Sequence, residues 1–385
     1  MEDGKTQSRW PSFLKVNEST LKTVKSSKRI LSIDVFRGIT MFLLIAEFTG
    51  ILNLLIHDNF AGNFVHTVGE QFHHHPWNGL RFWDLIQPFF MFIVGLSLPF
   101  GILNRQKKGQ SDSRIFYHVL KRSAILIFLG WALYCIGPGK INFYFQNVLA
   151  QIGVTYLIAY LIMKRSLTFQ ILFSFALLAI TEASYRLFSA EGFEGSYVYL
   201  QNFGSWLDVQ YGGESSGGWA AINAIPTAAH TIWGVLVAQL LLGSKSKQEK
   251  LKILIIVGLS LIIAGYLMDS ITPIIKRIST SSFVIVSGGW SILSLALLYW
   301  ILDILKYDGK WTLFFTVIGM NSLFIYLFAH VGGADLIERI LHPFTYFPFT
   351  KSNIIIAQII TSILVLACLW GICYWMYKKK LFIKI

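Results

Sequence analysis

The chain has 385 residues, of which 54% are hydrophobic and only 14% are charged. Soluble globular proteins carry roughly 25% charged residues, so this composition excludes a disordered chain and argues against a soluble enzyme. The three cysteines fall inside apolar segments and predict neither a disulfide framework nor a metal site. Because the apolar blocks are long enough to cross about 30 Å of hydrocarbon, the sequence predicts a polytopic membrane protein.

The chain is predicted to contain a basic cytoplasmic tail, residues 1–29, and one transmembrane domain, residues 30–385. Backbone groups in lipid must be satisfied within each segment, so spans of this length are helices and the predicted fold class is all-α. The sequence predicts ten spans, at 37–57, 83–104, 117–137, 147–164, 167–187, 219–242, 251–269, 283–304, 311–331 and 354–377. Polar side chains at helical spacing inside several spans predict a bundle around a polar cavity.

The formal net charge of +13 is best interpreted as a topology signal. With the N-terminus inside, 26 of the 33 lysine and arginine residues fall on the cytoplasmic side of the predicted spans. The opposite side has longer loops that carry carboxylates and aromatic residues. The sequence therefore predicts cytoplasmic termini and an outer face suited to a cationic amino sugar.

Among the ionisable residues inside the predicted spans or at their first turn, four are singled out: Glu47, Asp84, His230 and His330. Charges within the membrane are costly and usually face a cavity or a partner, so these residues are functional candidates. Uncharged polar residues in the spans are also explained by hydrogen bonds between helices, which hold membrane bundles together.

Three consecutive histidines, His73, His74 and His75, lie in the loop just before Asp84. Imidazole can transfer a proton near neutral pH or take up an acyl group as a nucleophile. A metal site and a passive loop are the alternatives, although adjacent histidines seldom converge on one ion. The residues alone do not separate the three histidines.

Several motifs occur in a fixed order: S-I-D-V-F-R-G at 32–38, H-x-x-W-N-G-L at 74–80, D-x-x-x-P-F-F-x-F-I-x-G at 84–95 and G-M-N-S-x-x-x-Y at 319–326. This ordered set resembles the heparan-α-glucosaminide N-acetyltransferase family and its bacterial relatives, over residues 29–331. The resemblance implies a multispanning acyltransferase that moves acetyl groups from cytosolic acetyl-CoA to an amino sugar across the membrane. It also selects His74 as the catalytic histidine.

The sequence and the resemblance together give the following expectations for the site. We expect no metal, and three sets of residues: His74, Asp84 and Asn78 in catalysis, Glu47, Trp77, His230, Asn321, Tyr326 and His330 at the sugar, and Arg37, Arg122 and Gln151 at acetyl-CoA. Asp84 or the Asn78 amide is expected to orient His74, and Asn78 or Tyr326 to stabilise the oxyanion. Direct transfer and an acetyl-His74 intermediate both stay open.

Departures from the family pattern, among them Glu47, Ile275 and His330, favour a bacterial branch located in the inner membrane. Two other functions are alternatives: a transporter of a sugar or an organic acid, and an O-acyltransferase acting on an envelope glycan. The expected partners are the lipid bilayer, acetyl-CoA and the amino sugar, but no nucleic acid. The sequence leaves a homo-oligomer open.

Overall fold

Regular secondary structure is helical throughout the residues that the computed structural model describes, which are 30–213, 216–349 and 354–383. The main helices are α1 Leu31–Glu47, α2 Ile86–Lys107, α3 Asp112–Ile136, α4 Val148–Ile162, α5 Leu167–Leu187, α6 Ala224–Leu242, α7 Lys247–Met268, α8 Ser281–Leu298, α9 Lys310–Met320, α10 Ser322–Phe328, α11 Ala334–Tyr346 and α12 Ile354–Lys378. The predicted tail, residues 1–29, lies outside the described residues.

Shorter elements connect the main helices. They are the α-helical turns Ile51–Leu54, Phe64–Glu70 and Phe203–Gln210, the 3-10 turns Asp58–Phe60, Phe82–Leu85, Ser216–Gly218, Ala221–Asn223 and Phe347–Phe349, and the π-helical turns Tyr299–Ile304 and Ala329–Gly333. Within the described ranges, one isolated antiparallel bridge joins Asn78 to Ile275.

The predicted helical membrane protein is confirmed. Among the described residues, seven helices are long and apolar enough to cross a membrane, and the number is eight if α9 and its continuation to Tyr346, which meet at a bend of 68°, count as one span. The predicted first and fourth spans correspond to α1 and α4, of 17 and 15 residues. The helix α1 begins and ends earlier than the predicted 37–57, because the chain breaks into short turns after Glu47.

The helices divide into central and peripheral ones. Most residues of α2, α6 and α8 are buried inside the protein, whereas α3, α5, α7 and α12 leave most of their apolar surface exposed. A helix that is apolar on all sides either lies in a core or faces lipid. The central group therefore forms the core of the bundle, and the peripheral group faces the hydrocarbon.

Glycine allows the central helices α2 and α6 to approach closely. A Cβ atom added at Gly95 would overlap the carbonyl oxygen of Thr231, and one added at Gly234 would overlap that of Phe92. Small residues at such crossings let membrane helices pack backbone to backbone. The contact fixes α2, which begins beside Asp84 and carries Arg105 at its other end.

The bundle has two ends, which we name from their residues. The histidine end carries the loop 71–81 and the loop 269–280, which the bridge between Asn78 and Ile275 joins. The arginine end carries the start of α1, the end of α2 and the start of α3. Because α2 runs from one end to the other, the distance between the two ends can be measured along it.

Candidate functional site

The imidazole of His74 is held by the carboxylate of Asp84. His74 Nδ1 lies 2.9 Å from Asp84 Oδ1, and the Asp84 side chain is fully buried. Asp84 Oδ2 also accepts hydrogen bonds from the backbone N–H groups of Arg81, at 2.9 Å, and of His75, at 3.2 Å. These bonds fix the carboxylate, which in turn orients the His74 ring. About a third of the His74 side chain stays exposed, at 31%.

The two flanking histidines have other surroundings. His73 Nδ1 lies 2.9 Å from the carbonyl oxygen of Gly69, and its Nε2 lies 3.0 Å from Asn53 Oδ1. The His75 ring packs over Gly79, whose φ of +143° and lack of a side chain leave room for it. Among the described residues, His74 is the one of the three histidines whose ring hydrogen-bonds to a carboxylate.

A lysine from a distant part of the chain joins this pair. The bridge between Asn78 and Ile275 carries the next residue, Lys276, against the histidine loop. Lys276 Nζ lies 3.0 Å from His74 Nδ1, 3.4 Å from His74 Nε2 and 4.0 Å from Asp84 Oδ1. The lysine side chain is 7% exposed. The cluster of His74, Asp84 and Lys276 is therefore assembled from segments about 200 residues apart.

Burial and neighbouring charge set the protonation of this cluster. Burial, followed by the Lys276 ammonium, lowers the pKa of His74 to about 4, although Asp84 opposes the shift. Burial lowers the pKa of Lys276 to about 8, against the opposing effects of Asp84 and Glu47. Near neutral pH the imidazole is therefore neutral and the ammonium is mostly charged. A neutral ring that donates from Nδ1 to Asp84 keeps its lone pair on Nε2.

Trp219 forms an aromatic wall beside the cluster. Its ring meets the His74 ring edge-on, with 5.2 Å between centroids, and Lys276 Nζ lies 5.1 Å from its centroid. Arg277 packs over the same ring at 5.5 Å and donates a hydrogen bond to the carbonyl of Gly217. The wall places two cations next to a partly exposed imidazole.

Two of the expected sugar contacts, Glu47 and His330, lie at the end of α1 and in the turn after α10. Glu47 Oε1 accepts a hydrogen bond of 3.3 Å from Trp83 Nε1, and the glutamate remains exposed. The His330 ring packs edge-on against Phe48, with 5.5 Å between centroids. The influence of Glu47 on the pKa of Lys276 places it within electrostatic reach of the cluster.

Hydrogen-bonded side chains lie inside the bundle about one helical turn beyond Asp84, counted along α2. Gln87 Nε2 donates to Gln151 Oε1 at 2.6 Å, and Asn147 Nδ2 donates to the Tyr326 hydroxyl at 3.4 Å. Gln151 also donates to the carbonyl of Gln146, at 2.9 Å. We call Gln87, Asn147, Gln151 and Tyr326 the polar layer.

A cavity of about 510 Å³ lies on the far side of the polar layer. Tyr326 lines its deep end, and three arginines line the end near α3. Arg37 donates to Ser97 Oγ, and the Arg122 guanidinium lies 5.0 Å above the Tyr156 ring. The remaining polar lining includes Arg105, which contacts His118 Nε2 at 2.6 Å, and Ser322. We call this space the arginine cavity.

The structure gives Trp77 and Asn78 positions beside the cluster. Trp77 Nε1 donates to the carbonyl of Tyr197 at 2.8 Å, and its ring meets Tyr199 edge-on at 5.2 Å. The Asn78 side chain is exposed, and within the described residues it makes no hydrogen bond to His74. Asn78 therefore meets the cluster through its backbone bridge, and the group that contacts the imidazole is Asp84, not the Asn78 amide.

His230 and Asn321 are not brought to the His74 cluster. His230 is fully buried between α6 and α8, where its Nε2 contacts the carbonyl of Val284 at 3.0 Å and Ser287 Oγ at 2.9 Å. Asn321 is also fully buried, and its amide binds the backbone near the end of the chain. Both side chains make contacts within the protein.

Sequence reasoning gave no role to Lys276, Trp219 or Arg105. The sequence did contain a signal for Lys276, since Lys276 and Arg277 form the one adjacent basic pair on the predicted outer side of the membrane, where lysine and arginine are few. The excess of lysine and arginine on the predicted cytoplasmic side was enough to explain Arg105. The expectation of no metal site stays a prediction: a search of the described ranges finds no group of three or more ligands suited to an ion.

Comparisons with known proteins bear on this site. The family model described as "Heparan-alpha-glucosaminide N-acetyltransferase, catalytic" matches residues 29–269, which is more than half of the chain. The human protein named heparan-alpha-glucosaminide N-acetyltransferase is 30% identical over 150 residues, covering 37% of this chain and 20% of the human protein. The mouse protein of the same name is 29% identical over 140 residues, covering 34% and 19%. The alignments thus span about a fifth of the relatives' length. The chain is a helical membrane protein and belongs to the heparan-alpha-glucosaminide N-acetyltransferase catalytic family.

Proposed function

We propose that this protein is a transmembrane acetyltransferase that takes acetyl groups from cytosolic acetyl-CoA and places them on the amine of a glucosamine-type sugar at the outer face. The observation that carries the proposal is the pairing, within one bundle, of an oriented histidine at one end with an arginine-lined cavity at the other. Acyl transfer needs a proton acceptor, and a CoA phosphate group needs cations.

The helix α2 and the turn before it set the distances in this proposal. From Asp84 to Arg105 the chain advances 21 residues, or about 30 Å at helical rise, which matches the hydrocarbon thickness. The arginine cavity is lined along α2 from Arg105 up to Phe90, about 22 Å of that length. About 9 Å remain between Phe90 and Asp84, and the polar layer fills them.

In the proposed reaction, the CoA phosphates bind near Arg37, Arg105 and Arg122, and the pantetheine arm extends along the arginine cavity. The thioester then displaces the hydrogen bond between Gln87 and Gln151 and reaches the histidine end. Excess lysine and arginine on the cytoplasmic side of the predicted spans supports this direction. The membrane itself is proposed to be the bacterial inner membrane.

The chemistry proposed for His74 begins with attack of the sugar amine on the thioester carbonyl. The carbon–nitrogen bond forms, the carbon–sulfur bond breaks, and the proton lost by nitrogen passes to His74 Nε2 and then to the leaving sulfur. An imidazole of low pKa suits the second transfer, because its conjugate acid gives up the proton readily. Lys276 supplies the cation that stabilises the developing oxyanion.

A two-step route uses the same atoms. His74 Nε2 attacks the thioester first and becomes acetylated, and the sugar amine then takes the acetyl group from nitrogen. Asp84 keeps Nδ1 as the hydrogen-bond donor in both routes. At the acceptor side, the Glu47 carboxylate suits an amino sugar that carries positive charge.

The test uses purified protein in liposomes with labelled acetyl-CoA and glucosamine. We expect label in N-acetylglucosamine, at least a hundredfold loss with His74→Ala, and near-normal turnover with the matched control His73→Ala. Acetylated His74 after incubation with donor alone would select the two-step route. Normal activity of His74→Ala would refute both routes, and an absence of donor binding would favour transport.

A further inference from the structure

The last described residues turn back against the bundle, with their side chains exposed. The helix α12 ends at Lys378, and Lys380 adopts a φ of +57° that reverses the chain. The backbone N–H of Leu381 donates to the carbonyl of Met376 at 2.9 Å, which closes the helix end. We call residues Leu381–Ile383 the returning segment.

Asn321 holds the returning segment from inside the protein. Its Nδ2 donates to the carbonyl of Leu381 at 3.1 Å, and its Oδ1 accepts from the backbone N–H of Ile383, also at 3.1 Å. Asn321 is fully buried at the bend between α9 and α10. Both polar groups of this amide are therefore used by backbone about 60 residues away. A buried amide with both partners satisfied fixes its neighbours firmly.

The held segment forms part of the arginine cavity. Ile383 lines the cavity together with Gly319 and Met320, which directly precede Asn321 on α9. Arg37, which also lines it, lies on α1, the helix that packs against α9. The wall of the cavity thus consists partly of the returning segment, which two hydrogen bonds hold.

We propose that the returning segment is a structural part of the donor site and that Asn321 is its positioning residue. This proposal rests on the proposed function, because it assumes that the donor occupies the arginine cavity. Ile383 sets the width of the cavity, and Asn321 sets the position of Ile383. We call the two hydrogen bonds from Asn321 the clamp. The clamp contacts only backbone atoms of the returning segment, so it needs no polar side chain there.

A size change at the wall tests the donor role. Ile383→Trp places a larger side chain at the cavity wall, whereas the control Ile363→Trp makes the same change at an equally exposed position on α12 that does not line the cavity. We expect Ile383→Trp to raise the Kd for CoA, measured by calorimetry in detergent, by tenfold or more. The control should bind CoA as the unmodified protein does. Equal affinity of Ile383→Trp and the unmodified protein would overturn the proposal.

Release of the clamp tests the positioning role. Asn321→Ala should increase deuterium uptake in the peptide covering residues 376–383 and raise the KM for acetyl-CoA three- to tenfold, with the KM for the sugar unchanged. Asn321→Asp keeps the acceptor for Ile383 but loses the donor, so we expect intermediate values. Unchanged uptake in Asn321→Ala would refute the clamp.

The same experiments separate this proposal from the proposed function. If the unmodified protein binds no CoA, both proposals fall. Deuterium uptake in Asn321→Ala then tests only whether Asn321 holds the returning segment. If Ile383→Trp and Asn321→Ala both bind CoA as well as the unmodified protein does, the donor function stands and the role of the returning segment is refuted. A melting temperature close to that of the unmodified protein shows that each variant is folded.

Discussion

The strongest prediction concerns Lys276, whose ammonium group lies 3.0 Å from His74 Nδ1. Replacing it with methionine keeps most of the side-chain volume and removes the charge. The ammonium opposes a second positive charge on the imidazole, so its removal raises the pKa of His74. The neutral imidazole, which accepts the proton, then exists only at higher pH. The acid limb of the pH profile should therefore move to higher pH.

The size of the effect follows from the causes of the shift. The pKa of His74 lies at about 4 instead of 6.5, with burial as the largest cause and Lys276 as the second. Since burial persists in the variant, we expect the acid limb to rise by about one pH unit, a tenfold change in the protonation ratio. Loss of oxyanion stabilisation should also lower kcat, by about 10²- to 10³-fold.

The assay measures kcat/KM for acetyl transfer between pH 4 and pH 9, with Lys276→Arg as the matched control. The pKa of Lys276 is about 8, so the unmodified protein should lose activity as the ammonium deprotonates above that pH. Arginine stays charged throughout this range, so kcat/KM of Lys276→Arg should not fall above pH 8. An acid limb at the same pH in Lys276→Met and the unmodified protein would refute the electrostatic reasoning.

Three further predictions concern stability. Glu182→Gln weakens bonds from Tyr197, Thr272 and other donors to one carboxylate and should cost about 1–3 kcal/mol, seen as a lower melting temperature; an unchanged temperature would contradict it. His230→Leu should lower stability by about 1–3 kcal/mol but preserve the KM for the sugar, which a substrate contact would not. Gly95→Val should prevent folding, measured as loss of monodisperse protein, with the open position Gly101→Val as control.

The helical class and most span positions could be predicted, because about 30 Å of hydrocarbon imposes a length on every span. The bend near Asn321 could not, since the side chain of Asn321 hydrogen-bonds to backbone about 60 residues later in the sequence and no local pattern reveals that partner. The early end of α1 has a similar reason. Glu47 is followed by short turns that pack under the histidine loop, and nothing in the local hydropathy marks that change.

The site could be predicted where its members are close in sequence. His74 and Asp84 are ten residues apart, and their pairing agrees with the expected orientation of the imidazole. Lys276 is 202 residues from His74 and depends on a backbone bridge, which no local pattern reveals. For His230, helical spacing places the ring on one face but does not tell whether that face meets a cavity or another helix.

The polar layer has an electrical consequence. It lies between the arginine cavity and the histidine end, so in the proposed arrangement the voltage across the membrane would fall mainly over it. Moving one elementary charge through 100 mV involves about 2.3 kcal/mol. In the proposed reaction the phosphates of CoA remain beside Arg37, Arg105 and Arg122. An acetyl group crosses outward and one hydrogen returns on the CoA sulfur, so no net charge crosses. The transfer is then electrically silent, and an energised membrane neither drives it nor opposes it.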